Sequence, residues 1–447
     1  MKILIKGGRV IDPANNVDEI LDLLIEDGKI AWIGTPTHPL PLQGGGLGRE
    51  VDRILDAKGL VMCPGFVDLH VHLREPGQEY KETIATGTMA AARGGFTSIC
   101  CMPNTDPPND NRSVTEFILD QAKRFGTVNV FPIGAITKGL KGEELAEIGE
   151  LCEAGCVAIS DDGRPVMNSE LMRRALEYAS MFGLPVIDHC EDLNLSGKGV
   201  VHEGRVSLET GLKGIPSAAE AVMVARDLLL AELTGWKVHI AHISCAESVR
   251  LVREAKRRGV QVTCEATPHH FTLTEEAIRS LPLRHAQGQG SAFDPNAKMN
   301  PPLRSAADLA AIHEGLKDGT IDAIATDHAP HTLYEKEQEF DSAPFGVVGL
   351  ETALGLVIIS LVEAGVLTLN EAITKLTVNP ARIVNLPKGT LSVGADADLV
   401  ILDFKKEWTV DVSQFASKGR NSPFHGFRLK GQVVTTIVGG RIVWEAL

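Results

Sequence analysis

Two histidines separated by one residue, in the stretch GFVDLHVHLREPG (65–77), have the type and spacing of metal ligands. His70 and His72 follow an apolar run, and residues two apart in an extended strand project to the same side. Two neutral imidazoles on one face form half of a metal site, and Arg74 follows on that side if the strand continues. The Pro-Gly pair that comes next ends the strand, so the histidines lie at its carboxyl end. Because such a short pair also occurs by chance, its meaning depends on the rest of the chain.

More residues with metal-binding or hydrogen-bonding side chains follow other strand-like runs, in the motifs CMPNT, ISDDG, IDHCED, IAHIS, KMNPPLR and ATDHAPH. These residues are Asn104, Asp161, Asp162, His189, His242, Asn300, Asp327, His328 and His331. Four histidines and two aspartates that converge at one face would form a zinc-type set of nitrogen and oxygen ligands, with room for an open coordination position. Scattered structural histidines would not all fall at strand ends, so an incidental cluster is disfavoured.

The pattern leaves some roles within this set open. The carboxylate at position 161 or 162 either binds a metal or caps the helix near Asn168. Asp327 is a ligand, a general base or both, whereas His328 should point the other way along the strand.

The remaining histidines are expected to be structural. His239 is assigned to the core because it lies deeper on its strand, and the ligand set is complete without His269 and His270 in TPHHF. Those in loops or on helices are assigned to the surface: His38, His202, His285, His313 and His425.

This constellation points to metal-assisted hydrolysis of an amide, or the reverse reaction, on a small anionic substrate. A metal lowers the pKa of bound water towards neutrality and polarises a carbonyl group. Asp327 is placed to take the proton of the hydroxide and pass it to a leaving nitrogen. Arg74 offers a planar fork suited to a substrate carboxylate. Neutral hydrogen-bonding groups would come from Asn104, Asn300 and His331.

The elements that must position these residues are predicted to form an α/β fold, a (β/α)8 TIM-type barrel over residues 63–388. Strand-like runs occur at 65–73, 96–102, 128–134, 156–160, 185–190, 237–243, 260–266 and 322–326. Helical patterns occur at 82–93, 114–125, 143–154, 169–182, 218–233, 246–258, 306–317 and 350–364. This alternation predicts a parallel barrel, and chemistry on such a barrel lies at the carboxyl ends of its strands. Residues 283–300, rich in Gly, Gln and Ser, are predicted to form a mobile loop over the mouth.

The two ends of the chain are predicted to form one small β-sandwich-like domain. Residues 1–62 alternate as β-strands do, with a turn signal at Asp27-Gly28, and residues 389–447 repeat this style with a turn at Gly439-Gly440. Two short β segments cannot each bury a core alone. We therefore expect them to pair, with the barrel inserted between them.

Composition limits the classes of partner. The 447 residues carry a net charge of −14, which argues against nucleic acid or an anionic membrane as the main partner. The longest apolar stretch, 353–362, is too short to span a bilayer. The eight cysteines form no CxxC pair or regular framework, and no secretory signal is visible. We expect a reduced, cytoplasmic protein.

Taken together, the motifs DLHVHLREPGQEYKET, CMPNTDPPND, SDDG, DHCED, KMNPPLR and ATDHAPH resemble those of the class I bacterial dihydroorotases of the cyclic amidohydrolase family. The resemblance runs over the whole chain, including the split β domain. It implies the reversible cyclisation of N-carbamoyl-L-aspartate to (S)-dihydroorotate plus water, the third step of de novo pyrimidine (UMP) biosynthesis. It also implies one or two zinc ions per subunit, a homodimer and, as in some members, assembly with an aspartate transcarbamoylase.

The same resemblance implies a role for individual residues. The implied zinc ligands are His70, His72, Asp162, His189, His242 and Asp327, with Asp327 also the catalytic acid and base. The question of position 161 or 162 is thereby resolved towards Asp162. The implied substrate contacts are His72, Arg74, Asn104, Asn300, His331 and the main chain of Phe345 and Gly346.

Two alternative functions were weighed against this one. A hydantoinase or allantoinase is disfavoured because its substrate carries no carboxylate for Arg74, and Asn104 also speaks against it. Those enzymes usually have a carboxylated lysine where this chain has SDDG. A non-catalytic dihydroorotase-like scaffold subunit would be expected to lose metal ligands, whereas this chain retains the whole set.

Overall fold

The chain begins with a mixed β-sheet, in which the first three strands are antiparallel and the next two run parallel to the first. The structure is a computed structural model that describes residues 1–35, 51–280 and 293–446. The first strands are β1 (Lys2–Asp12), β2 (Val17–Glu26), β3 (Lys29–Gly34), β4 (Arg53–Asp56) and β5 (Val61–Pro64). Asp27 and Gly28, between β2 and β3, have φ values of 48° and 82°, as a two-residue hairpin turn requires. The predicted hairpin is therefore confirmed.

The middle of the chain forms a sheet of eight parallel strands. These are β6 (Phe66–Val71), β7 (Phe96–Cys101), β8 (Asn129–Gly134), β9 (Ala158–Ile159), β10 (Val186–Asp188), β13 (Val238–Ile240), β14 (Val262–Ala266) and β15 (Ala323–Ile324). A separate pair, β11 (Val201–His202) and β12 (Gly214–Ile215), lies in the connection after β10. Each of the eight predicted strand runs contains one strand of this sheet, so the predicted barrel order is confirmed.

The eighth strand returns to the first, which closes the barrel. Val71 pairs with His328 in a parallel bridge, and the His72 amide donates to the His328 carbonyl at 2.8 Å. Leu69 of β6 and Ile187 of β10 belong to one apolar cluster, although their strands lie on opposite sides of the barrel. Such residues can meet only across the interior, so the barrel is a packed core and not a pore.

Helices connect the strands. Their bounds are α1 (Ile84–Gly94), α2 (Arg112–Phe125), α3 (Ile148–Ala154), α4 (Ser169–Ser180), α5 (Leu193–Ser196), α6 (Arg205–Thr210), α7 (Ser217–Thr234), α8 (Ala246–Arg257), α9 (Ala277–Ser280), α10 (Ala306–Lys317), α11 (Leu333–Lys336), α12 (Ala353–Val357), α13 (Leu369–Leu376) and α14 (Val378–Ile383). Side chains preceding the helices explain several of the starts. Thr83 and Ser305 form capping boxes at α1 and α10, and Asn111 caps α2.

Two predicted helices differ from the observed ones. The helix expected at 143–154 begins only at Ile148, because the Ala146 amide bonds instead to the Ile136 carbonyl, away from any helix. The helix expected at 350–364 is α12 followed by one wider turn, Ile358–Val362. Neither difference moves a strand end, so both leave the barrel mouth as predicted.

The last strands of the chain join the first ones. β16 (Leu399–Thr409), β17 (Arg428–Val438) and β18 (Arg441–Glu445) extend the first sheet, in the order β18-β17-β16-β5-β1-β2-β3, with β4 also on β1. Ile3, Met62, Leu399 and Ile437 belong to one buried cluster, so both chain ends contribute to the same core. The boundaries at 62/63 and 388/389 stay a prediction.

Two further expectations concern the long connections. Of the predicted loop 283–300, residues 283–292 lie outside the described residues, while Lys298 is buried with its Nζ 2.8 Å from the Phe340 carbonyl. The assignment of His202 to the surface is wrong. This histidine is buried on β11, where its Nδ1 lies 3.2 Å from Arg304 Nη1. Within the described ranges, no helix is long and apolar enough to cross a membrane.

Candidate metal centre and substrate pocket

The carboxyl ends of the barrel strands bring the predicted ligand residues into one buried cluster. His70 lies on β6 and His72 directly after it, and the register shifts between Asp68 and Val71 against β7 mark an irregular strand end. Asp162 follows β9, His189 follows β10, His242 follows β13, and Asp327 follows β15. All six side chains are buried. The sequence placed these residues at strand ends, and parallel pairing makes those ends meet.

The first half of the cluster joins the two histidines of β6 to two carboxylates. His70 Nε2 lies 3.2 Å from Asp162 Oδ1 and 3.5 Å from Asp327 Oδ1. His72 Nε2 lies 3.1 Å from Asp327 Oδ1 and 3.6 Å from Asp162 Oδ2. Ligand atoms of His70, His72 and Asp162 all lie within 4.8 Å of one another, as atoms around a single ion would.

The second half of the cluster shares Asp162 with the first. His189 Nδ1 lies 3.6 Å and His242 Nε2 lies 3.7 Å from Asp162 Oδ1. The two histidine nitrogens are 2.9 Å apart. Asp162, His189 and His242 therefore form a second group of three converging ligand atoms, and the shared carboxylate stands between the two groups.

Unpartnered polar atoms support a metal at this place. His70 Nε2 and Asp162 Oδ1 are buried and have no hydrogen-bond partner within the described ranges. Burying such atoms unpaired is costly, whereas a cation between them would satisfy both. Imidazole nitrogen and carboxylate oxygen are donors that suit a borderline divalent ion, so the residues fit a metal site.

Three of the four histidines have a polar partner on the other ring nitrogen. His70 Nδ1 lies 3.2 Å from Glu265 Oε1, and His72 Nδ1 lies 2.9 Å from Asn104 Oδ1. His189 Nε2 lies 3.2 Å from the carboxylate of Glu191. Such outer partners fix the tautomer of a ligating imidazole and aim its lone pair at the ion.

The neighbouring aspartates in SDDG have different surroundings. Asp161 accepts hydrogen bonds from the main-chain amides of Ile136 and Thr137 and from the Thr137 hydroxyl, so its carboxylate is used structurally. Asp162 instead faces the histidines. The cap of α4 is Asn168 itself, whose side chain accepts from the amides of Glu170 and Leu171.

A cavity of about 240 Å³ opens beside these ligands. Its lining consists of His72, Arg74, Asn104, Asp162, Gly163, His189, His242, Asn300, Asp327, Ala329, His331, Phe345 and Gly346. Every residue predicted to contact substrate thus lines the same space. The volume suits a small molecule, not a polymer.

Arg74 provides the positive side of this cavity. Its Nε donates to the Pro330 carbonyl at 3.3 Å, and within the described ranges the guanidinium forms no ion pair. Burial lowers the pKa of Arg74, an effect that Asp327 and Asp162 oppose. A half-buried cation that forms no ion pair among the described residues is well suited to receive a substrate carboxylate.

The opposite carboxylate is held ionised. Burial alone would raise the pKa of Asp327, but His70 and His72 outweigh it and hold the pKa well below its usual range. Asp327 is therefore unprotonated in the resting site. Its backbone has a φ of 47°, and Arg74 and His242 also have positive φ values, of 61° and 29°. Strained backbone of this kind in residues other than glycine concentrates at functional sites.

The far wall of the cavity is built from main chain. His331 Nε2 donates to the Phe345 carbonyl at 2.8 Å, which leaves Nδ1 without a hydrogen bond in the described part of the chain. The Gly346 amide donates to the Lys298 carbonyl at 3.0 Å, and the Gly346 carbonyl accepts from Lys336 Nζ at 3.1 Å. These bonds tie the wall to its neighbours before any ligand arrives.

The two asparagines of the cavity also serve the ligands. Asn104 accepts from His72 and lies 3.3 Å from the Asp162 carboxylate. Asn300 Nδ2 donates to Glu191 Oε2 at 2.9 Å and lies 3.4 Å from His189 Nε2. Both amides therefore link the cavity wall to the metal-facing histidines.

The motif analysis missed several residues of the site. Glu265 and Glu191 sit beside the ligands, and Lys336 and Asn421 hold the far wall. The only sequence signal for Glu265 is a lone charge inside the apolar strand run 260–266. Asn421 lies far along the chain, in the end domain, and no local pattern connects it with the barrel mouth.

Comparisons with known proteins agree with this site. A family model described as dihydro-orotase-like matches residues 59–248, and an amidohydrolase family model matches residues 240–444. A dihydroorotase of Syntrophus aciditrophicus is 57% identical over 445 residues, covering 100% of both chains. A dihydroorotase of Pelotomaculum thermopropionicum is 60% identical and covers 100% of this chain and 99% of its own.

Among solved structures, the L-hydantoinase (dihydropyrimidinase) from Arthrobacter aurescens superposes with a TM-score of 0.85 at 28% identity, covering 99% of this chain and 96% of its own. A D-hydantoinase from Thermus sp. gives a TM-score of 0.79 at 26% identity, with coverage of 99% and 96%. The shared fold is thus that of cyclic-amide hydrolases, while the sequence identity to the dihydroorotases named above, 57% and 60%, exceeds the identity to these solved structures. On that identity, the chain belongs to the dihydroorotase family of amidohydrolases.

Proposed function

We propose that this protein is a zinc-dependent dihydroorotase, which interconverts (S)-dihydroorotate plus water with N-carbamoyl-L-aspartate. The observation that carries the proposal is Arg74, a cation without an ion-pair partner among the described residues, in the same cavity as the ligand cluster. A cyclic amide that bears a carboxylate matches this pair of features. The curated relatives at 57% and 60% identity carry the same name.

Zinc is the metal we propose for the cluster, because four imidazoles and two carboxylates match its preferred ligands. The ligands are His70, His72, Asp162, His189, His242 and Asp327. Two groups of three ligand atoms share Asp162, so the cluster offers ligands for two ions. Elemental analysis of the purified protein should then give about two zinc ions per chain.

In the hydrolytic direction, Arg74 binds the ring carboxylate and fixes the orientation of the ring. The rest of the cavity around the ring is lined by Asn300, His331 and the main chain at Phe345 and Gly346. Bound zinc would supply a water of lowered pKa and polarise the ring carbonyl.

The proton transfers fall to Asp327, which is ionised and lies 3.1 Å from His72 Nε2. As the water oxygen bonds to the carbonyl carbon, Asp327 takes the proton that the water loses. The ring C–N bond then breaks, and Asp327 returns the proton to the departing nitrogen. The product carries a new carboxyl group, which loses its remaining proton to solvent, and a free carbamoyl NH2 group; ring closure follows the same steps in reverse.

The test is hydrolysis of dihydroorotate by the zinc-loaded protein alone, followed by ultraviolet absorbance. We expect turnover without any partner, and Asp327→Asn should lower kcat by about a hundredfold or more. Retention of most activity by Asp327→Asn would disprove the acid and base assignment. Activity in the absence of a partner would also exclude the non-catalytic scaffold function.

A hydantoinase-type activity is the second candidate, and the superposition on the Arthrobacter aurescens enzyme favours it. The same assay with hydantoin, allantoin and dihydrouracil separates the two candidates, because these rings lack the carboxylate that Arg74 would bind. Faster turnover of such a ring than of dihydroorotate would replace the proposed substrate.

A homodimer is the assembly we propose. Helix α7 carries Ala218, Val222, Leu229 and Leu233 on its outer face, and the last three are 49%, 63% and 64% exposed. A surface helix normally has a polar outer face, so an apolar one is typical of a subunit contact. Assembly with an aspartate transcarbamoylase is a separate expectation, which mixing of the two purified enzymes tests by a change in molar mass.

We also propose that residues 1–62 and 389–447 form the composite β domain and residues 63–388 the barrel. The shared sheet of the two ends supports the division. We propose the cytoplasm as its location.

A further inference from the structure

A segment of the end domain, residues 416–421, reaches the barrel mouth and contacts the wall of the substrate cavity from behind. It lies between β16 and β17, and its last residue, Asn421, is 2% exposed. The Asn421 main-chain carbonyl accepts from the Val348 amide at 2.9 Å. The segment is therefore packed against the chain that carries Phe345 and Gly346.

The side chain of Asn421 bonds to both halves of this wall. Its Oδ1 accepts from the His331 amide at 3.0 Å, and its Nδ2 donates to the Ala329 carbonyl at 2.9 Å. The same Nδ2 donates to the Gly346 carbonyl at 3.0 Å. One amide group thus joins the loop after β15 to the loop that carries Phe345 and Gly346.

The chemistry of these three contacts calls for an amide. One partner is an N–H group and two are carbonyls, so a side chain is needed that accepts once and donates twice. Asparagine meets this requirement, whereas an aspartate of the same shape would place a negative oxygen against two carbonyl oxygens. Since all the partners are main-chain groups, the bonds set the spacing of the wall irrespective of its side chains.

The rest of the segment is anchored so that Asn421 is held in place. The Ser417 hydroxyl and the Lys418 amide donate to Glu82, a buried carboxylate just before α1. The Ala416 and Ser417 amides donate to Glu351. The segment is therefore bonded at one end to the residues just before α1 and α12, and at the other end to the substrate wall.

The fit at Gly419 is equally close. A Cβ atom there would lie 2.8 Å from both Pro330 Cβ and Val348 Cγ1, and 2.9 Å from Asn421 Oδ1. These distances are well inside van der Waals contact, so any side chain at 419 must push the segment away from the wall. Gly419→Ala therefore displaces the segment without removing a hydrogen-bonding group.

From these contacts we propose that Asn421 is a positioning residue for substrate binding: it sets the distance between the His331 loop and the Gly346 loop, and so the width of the pocket. The identity of the bound ring in this proposal rests on the proposed function. Asn421 does not line the cavity, and in the described part of the chain its hydrogen bonds go to none of the metal-facing residues, so its effect should fall on substrate affinity and leave metal binding intact.

The experiment compares wild type with Asn421→Asp and Asn421→Ser in zinc-loaded protein. KM for dihydroorotate should rise about tenfold or more while kcat changes less than about threefold, because the lost bonds act on the bound ring and not on proton transfer. Zinc content should equal that of wild type. Hydrogen exchange of peptides covering 329–348 should become faster.

The matched control is Asn379→Asp. Asn379 also donates its amide to a main-chain carbonyl, that of Asp322 at 2.8 Å, but near the amino ends of the barrel strands. It should leave KM and the exchange of 329–348 as in wild type. Gly419→Ala is the independent variant, and it should reproduce the rise in KM even if the Asn421 variants fold poorly.

Unchanged KM in folded Asn421→Ser and Gly419→Ala would overturn the proposal, as would a loss of zinc equal to the loss of activity. Failure of the proposed function looks different, since wild type itself would then not turn over dihydroorotate. The KM comparison would be repeated with the cyclic amide that it does hydrolyse. The exchange of 329–348 tests the positioning role without any substrate.

Discussion

At the scale of single residues, the site is built from pairs of groups. In each pair an inner side chain faces the metal position, and an outer side chain orients the inner one. Glu265 is the deepest outer group: its Oε1 meets His70, and its Oε2 lies 3.2 Å from His239 Nε2. His239 in turn lies 2.8 Å from the Thr263 hydroxyl. The core assignment of His239 thus has a chemical reason, because its ring lies beside the carboxylate that contacts the ligand His70.

Glu265→Gln is therefore expected to weaken zinc binding by about 10- to 100-fold, the usual cost of losing an outer partner. The measurement is a competition titration with a chromogenic chelator. Asp22→Asn is the control, since Asp22 is a buried carboxylate that accepts from the Gly7 amide within the end-domain sheet. Equal zinc affinities of Glu265→Gln and wild type would refute an orienting role for Glu265.

Arg74→Lys tests the carboxylate pocket. We expect kcat/KM for dihydroorotate to fall about tenfold or more, because an ammonium cannot reproduce the planar two-point contact. Turnover of dihydrouracil, which has no carboxylate, should be unaffected. If kcat/KM fell by the same factor for both substrates, Arg74 would act on the fold of the loop and not on the carboxylate.

At the scale of elements, the loops that follow neighbouring barrel strands are in direct backbone contact with each other. Gly77, in the loop after β6, has a φ of 91°, and a Cβ there would lie 1.9 Å from the Asp106 carbonyl oxygen in the loop after β7. The first of these loops carries Arg74 and the second carries Asn104. Close contact of the two backbones thus fixes two residues of the pocket relative to each other.

Gly77→Ala should accordingly destabilise the protein and raise KM, since the two loops must separate. Gly59→Ala is the matched control, because Gly59 has a φ of 82° with nothing within 4 Å of an added Cβ. The control should cost only the backbone strain, about 1 kcal/mol. Denaturant unfolding of both variants measures the difference, and equal costs would mean that the loops adapt without loss.

The short helix α11 introduces a pH dependence. Lys336 is buried and donates to the carbonyls of Pro344 and Gly346 at 2.8 and 3.1 Å. Burial, together with the nearby charge of Lys298, lowers the pKa of Lys336 to about 7. In the unfolded chain the same group keeps its proton up to about pH 10.

Between about pH 7 and about pH 10 the unfolded chain therefore binds more protons, and the free energy of unfolding should rise with pH. Lys336→Met removes this contribution. The difference in unfolding free energy, wild type minus Lys336→Met, should grow through this window and stay constant below it. A difference that is constant across the whole range would mean that the pKa of Lys336 is not lowered in the folded protein.

The barrel, its strand order and the clustering of polar residues at the strand ends could be predicted because each depends on local patterns: apolar runs, helical periodicity and polar residues at strand ends. The choice of Asp162 over Asp161 came instead from the resemblance to the dihydroorotases. Helix α3 was shorter than predicted because Ala146 bonds to the distant Ile136, which no local pattern encodes. Glu265 and Asn421 were missed for a related reason. Their roles arise from contacts 195 and 90 residues apart in sequence, with His70 and His331.

At the scale of the whole molecule, the outer face of α7 is an apolar surface that lies exposed in the described chain. Leu229 and Leu233 lie one turn apart on it and are more than half exposed. Leu193 of α5, which packs beside α7, is 47% exposed and extends the apolar area. A second copy of the chain would bury this area by twofold symmetry.

Leu229→Arg should then shift the protein from dimer to monomer, because two copies of the charge would meet at or near the symmetry axis. Light scattering over a range of concentrations gives the molar mass. Ile20→Arg is the control, since Ile20 is 64% exposed on β2 in the end domain. A dimer that persists in Leu229→Arg and dissociates in Ile20→Arg would move the interface to the end domain.

The sheet shared by the two chain ends has a consequence for the order of synthesis. β5 pairs with β1 on one side and with β16 on the other. Asn421 lies in the connection between β16 and β17. On the ribosome, the edge of β5 and the apolar face of β1 are thus exposed while more than three hundred further residues are translated. Nascent chains of this protein should need protection from aggregation during that interval, and should acquire a fully shaped substrate pocket only after the last strands emerge.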